Sequence, residues 1–152
     1  MKILRKPQIN ATVITVVSLF YAAMFHLVSG HAEFDRTLDH ANTLKSAFWN
    51  TWTAFLKQGN LKYIGYAYIA VTIVIVIASF AKRRNYDEYQ ASILGNGIMV
   101  MGIALVVLFP IALLLVLSDP QYAIETVMFL VVVHWAIVLI ADSVLALQWV
   151  KG

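Results

Sequence analysis

Cysteine is absent from the 152 residues, which excludes disulfides, thiolate nucleophiles and cysteine-ligated zinc or iron–sulfur centres, and leaves the redox compartment open. Charge is scarce: 12% of residues are charged against 61% hydrophobic. A water-soluble domain with that balance could not cover its own surface with polar groups. The net charge is +3, but the Lys and Arg residues lie outside or at the ends of the apolar runs and form no dense patch, so nucleic acid is not an expected partner. Nucleotide fingerprints are missing as well. Gly95-Asn96-Gly97 lacks the strand-to-helix setting that a phosphate cradle needs.

What the sequence does contain is apolar length. Four runs, 9–28, 61–81, 92–117 and 122–150, each reach the roughly 20 residues that carry a helix across about 30 Å of hydrocarbon. The fold class expected is all-α: one transmembrane domain over 1–152, a polytopic four-transmembrane-helix bundle. The first run follows Lys2, Arg5 and Lys6, as a signal peptide would, and Gly30-His31-Ala32 could pass for a cleavage site. Its length exceeds the usual apolar core of about 7 to 15 residues and favours a retained helix. The β-branched second run ends at Lys82-Arg83-Arg84, the third contains Pro110, and Ser118-Asp119-Pro120 makes a tight turn.

The segment between the first two runs begins polar. It then places Leu44, Phe48, Trp52, Phe55 and Leu56 three or four residues apart, which predicts an interfacial amphipathic helix over 42–58 in the first outer loop, ended by Gly59 or Asn60. Seven basic residues (Lys2, Arg5, Lys6, Lys82, Arg83, Arg84, Lys151) fall on one side of this threading and four (Arg36, Lys45, Lys57, Lys62) on the other. The asymmetry predicts a cell-membrane protein with both termini cytoplasmic.

Small and weakly polar residues recur at helical spacings: Thr12, Thr15, Ser18, Ala22 and His26 in the first run, Gly65, Thr72 and Ser79 in the second, Ser92, Gly95 and Gly102 in the third. Such stripes allow close helix contact where lipid supplies no hydrophobic force, and they are expected to build the bundle. Ionisable groups inside the runs are costly and face protein or water. Asp142 is the strongest of these, with Asn96 at a matching depth and Ser79 and Thr12 nearby, so the four are expected to form a polar layer with Asp142 bonded to Asn96. His134 lies eight residues from Asp142, too far for a direct bond. At the opposite end His26, Glu125, His31, Glu33, Asp35, Asp39 and His40 offer imidazole and carboxylate ligands for a divalent metal. Their spacing fits no established ligand motif, and solvated loop residues account for most of them.

No family motif can be aligned residue by residue. The first functional expectation is an accessory or structural subunit of a larger membrane complex or homo-oligomer, whose partners are the lipid bilayer and other membrane subunits or copies of itself. The alternative is a small transporter or channel using the layer around Asp142 and Asn96. The third is a membrane oxidoreductase or metal-binding protein using the outer histidines and carboxylates. Whether the chain is an enzyme, and which cofactor it would carry, the sequence leaves open.

Overall fold

A computed structural model describes residues 5–39, 46–82 and 84–151. The described chain is helical, with no strand: α1 (Pro7–Val28), α2 (Ala32–Thr37), α3 (Ala47–Lys57), α4 (Leu61–Ser79), α5 (Glu88–Ser118), a short 3₁₀ turn (Pro120–Tyr122) and α6 (Ala123–Lys151). Among the described residues α1, α4, α5 and α6 are long and apolar enough to cross a membrane.

Local chemistry sets the ends. Pro7 occupies the first turn of α1, where its missing N–H costs nothing. α3 opens on Ser46, whose hydroxyl accepts the Trp49 amide, and closes with Gly59 at φ +66°. The Asn60 amide then reaches the Phe55 carbonyl (3.3 Å) and the Gly59 amide the Leu56 carbonyl (2.8 Å), a Schellman arrangement that satisfies two orphan carbonyls. The start of α5 is fixed by a capping box: the Gln90 amide donates to Asp87 Oδ1 (2.8 Å) and the Asp87 amide to Gln90 Oε1 (3.0 Å). α5 continues through Pro110 to Ser118.

The long helices pack as an open row. α1 lies on α4, α4 on α6, and α5 on α6, while α1 and α5 leave the fourth side unclosed. Close approach of α1 and α4 is possible because a Cβ at Gly65 would already stand 3.7 Å from Phe25 Cβ. At the turn between them the Ser29 hydroxyl accepts the Lys62 amide (3.1 Å) and so caps α4 from outside it.

The centre is Trp135 of α6, fully buried among Tyr21, Phe25 and Tyr68. Its indole N–H donates to Ser18 Oγ (3.1 Å), the Ser18 and Thr72 hydroxyls are 2.8 Å apart, and the Thr72 hydroxyl is 2.9 Å from the Tyr68 carbonyl. One proton per hydroxyl is enough to run this chain of bonds from α6 through α1 to α4 with every group satisfied. The Ser18 and Thr72 stripes therefore do face each other. The third stripe does not behave as expected: a Cβ at Gly95 or Gly102 would meet nothing within 4 Å, because α5 rests on α6 along another face.

The expected outer helix exists as α3, with 42–45 outside the described residues, and it docks on α6. The Trp52 indole donates to the Glu125 carbonyl (2.9 Å), and Phe48, Trp49 and Trp52 all meet Phe129 edge-on. Phe48 keeps half its surface exposed and Leu56 is buried, so one apolar face serves the bundle first.

Candidate functional site

The starts of α1 and α5 and the ends of α4 and α6 share one end of the row, here the basic end. Asp142 lies nine residues before Lys151, about 13 Å along α6 at 1.5 Å per residue, and is 4% exposed. Its partner is Asn10: the Asn10 Nδ2 donates to Asp142 Oδ1 at 3.2 Å. Both residues are buried, and the pair ties α1 to α6 where those helices otherwise touch little.

The expected Asp142–Asn96 bond is therefore replaced by Asp142–Asn10. Asn96 has the right depth and the wrong direction, since α5 turns it to the far side, where it is exposed beside Ala141. Thr12 also points away; it is exposed and its hydroxyl bonds back to the Gln8 carbonyl (2.9 Å). Ser79 does belong to the buried end, with its hydroxyl on the Ile75 carbonyl (2.9 Å).

Tyr86, from the α4–α5 connection, completes the cluster. Its amide donates to the Arg5 carbonyl (2.8 Å), which pins the connection to the start of the chain. Its phenol interacts with Ser79 and Asn10 and feels the Asp142 charge. Burial, the largest influence, pushes this phenol above its usual range near 10, so at neutral pH it remains an O–H donor. The Tyr86 ring meets buried Trp149 edge-on at 4.8 Å, and Lys82 and Arg84 lie over the same indole at 5.7 and 5.4 Å. Asn10 and Tyr86 were not singled out in the sequence; an amide early in the first apolar run, level with a carboxylate late in the last, was the available signal.

A lateral cleft opens between α1 and α5 with α6 as its floor. It has a volume of about 380 Å³; Lys6, Asn10 and Asp142 line one end, Tyr21 and His134 the other, with Val13, Ile98 and Val138 among the apolar residues between. His134 is held by Tyr21, whose hydroxyl is 3.0 Å from Nδ1. On the opposite face of α5, a second groove of about 320 Å³ holds Asn96 as its one strongly polar residue, among Ile93, Gly97, Val100, Ile137 and Ala141.

The residues considered for a metal have other engagements. His26 Nδ1 is 3.4 Å from the Tyr66 hydroxyl. Glu125 is fully buried under α3, where Oε1 accepts the Thr53 hydroxyl (3.0 Å). Glu33 pairs with Arg36 and Asp39 with Lys57. His31 stands exposed at the start of α2 and Asp35 is half-buried within it, while His40 lies outside the described residues. Among the described residues no three His, Asp or Glu side chains converge.

No protein-family model matches this chain, and no curated protein or solved structure matches it.

Proposed function

We propose that this is an integral membrane protein with its basic end cytoplasmic, and that it acts as a non-catalytic subunit which self-associates through the α5–α6 groove around Asn96. The observation that carries the reading is the placement of Asn96. Its amide offers two N–H donors and a carbonyl acceptor, is exposed, and makes no hydrogen bond to any described residue. It lies eight residues inside α5, about 12 Å from the start, with apolar or small neighbours on every side of the groove.

An amide facing hydrocarbon alone is costly, whereas polar side chains bonded between helices hold membrane assemblies together. Gly97 supports close approach, since a Cβ there would meet only the Ala141 methyl at 3.7 Å. A two-fold axis through the groove would set Asn96 against its own copy, each amide satisfying the other. Cross-linking of a Val100→Cys variant in native membranes should give a dimer, and Asn96→Val should abolish it. A monodisperse wild-type monomer in a bilayer mimetic would overturn the reading.

A second reading, a carrier for a small solute, is favoured by Asp142, a buried carboxylate that lines an open cleft. Proteoliposome flux lost in Asp142→Leu and retained in Asn96→Val would place it first.

A further inference from the structure

We propose that the cleft between α1 and α5 is a binding site for a single-chain amphiphile with an anionic head and a hydroxyl next to its chain, the chemistry of a monoacyl glycerophospholipid. The proposal rests on the membrane reading above and is independent of the assembly reading, because the cleft and the Asn96 groove lie on opposite faces of α5.

The cleft continues beyond Tyr21, Leu105 and His134 into a second cavity of about 430 Å³ lined by apolar residues such as Leu108, Phe109, Leu113, Val127 and Leu130. Along α6 the groove runs from Asp142 to Val127, about 22 Å at 1.5 Å per residue. Its middle is largely apolar, and the Tyr21 hydroxyl there is already engaged with His134 Nδ1. A long apolar chain fits such a wall. The place for the polar part is the basic end.

There the order of groups along the groove decides the head chemistry. Asp142 comes first: one oxygen holds Asn10, and the other has no hydrogen bond to a described residue, so it accepts a hydrogen from a group at the root of the chain. Lys6, four residues before Asn10 and therefore about 6 Å nearer the end, is exposed at the mouth and forms no ion pair with a described residue. A monoacyl glycerophospholipid matches this order, with its free glycerol hydroxyl opposite Asp142 and its phosphate opposite Lys6. A second acyl chain turns that hydroxyl into an ester with no hydrogen to donate, and it has no second slot to enter. Removing the phosphate leaves Lys6 unanswered.

The experiment titrates purified full-length protein in mild detergent with monoacyl phosphatidylglycerol, its diacyl counterpart and monoacylglycerol, reading occupancy by native mass spectrometry. The monoacyl phospholipid should bind at least tenfold tighter than either of the others. Lys6→Gln should remove its advantage over monoacylglycerol. Gly102→Leu should block all three by filling the cleft, and it is expected to fold because a Cβ at Gly102 meets nothing within 4 Å. Equal binding of monoacyl and diacyl lipid, or undiminished binding by Gly102→Leu, would overturn the proposal. Failure of the membrane reading would register separately, as release of the chain from membranes by alkaline carbonate.

Discussion

Ser18 has one hydroxyl and serves two neighbouring helices. Replacing it with alanine leaves the Trp135 N–H without an acceptor in a fully buried position and breaks the relay to Thr72. Loss of a buried partner costs about 1 to 3 kcal/mol in soluble proteins, while interhelical bonds in membranes average about 0.6 and reach about 1.7. Ser18→Ala is therefore expected to destabilise by about 1 kcal/mol in reversible unfolding in micelles. Trp135→Phe added to it should cost less than it does alone in terms of hydrogen bonding, and strict additivity would show that the bond contributes nothing. Asn10 and Asp142 form the second such pair. Asn10→Leu strands a buried carboxylate, whereas the double variant Asn10→Leu with Asp142→Leu removes both polar groups. The single change should be the more destabilising, and the reverse order would mean that the pair is not coupled.

Helix-scale features were legible where the chain carries punctuation. The runs read as 9–28 and 92–117 begin earlier in the structure, at Pro7 and Glu88, because a proline in the first turn and an Asp87–Gln90 box extend helices into polar sequence that hydropathy does not reach. Depth was legible too: Asp142 was expected near the level of Asn96. Which way each side chain turns was not, since facing depends on the packing partner, and α5 leans on α6 by a face that Gly95 and Gly102 do not share. Gly59 is the clearest punctuation and gives a test. At φ +66° a side chain costs about 1 to 2 kcal/mol, and a Cβ there would meet only ordinary contacts, the nearest at 3.7 Å from the Gly30 nitrogen. Gly59→Ala should lower stability by about that amount, and Gly59→Asn by less, since asparagine tolerates the left-handed region. Protease sensitivity at α3 should rise in step with the alanine change. Unaltered stability would mean that the α3 end is not held as described.

At the scale of the whole molecule, the proposed orientation rests on the unequal distribution of basic residues. Lys82 and Arg84 cover Trp149 at the same end as Arg5, Lys6 and Lys151, while α3 with Lys57 packs at the opposite end of α6, against Glu125 and Phe129. Thr51 on α3 and Asn85 in the α4–α5 connection are both exposed, so single cysteines at these positions report the two ends in a background that has no other cysteine. With the basic end cytoplasmic, an impermeant thiol reagent added to intact cells should label Thr51→Cys and reach Asn85→Cys only after permeabilisation. Labelling of both from one side would break the four-crossing arrangement itself. The cause of the orientation can be tested in the same cells. Changing Lys82, Arg83 and Arg84 to glutamine leaves Lys2, Arg5, Lys6 and Lys151 against Arg36, Lys45, Lys57 and Lys62, which removes the asymmetry that retains basic segments in the cytoplasm. Asn85→Cys in that background should then label partly from outside. An orientation that stays uniform would shift the cause from the connection to the basic residues that precede the first crossing.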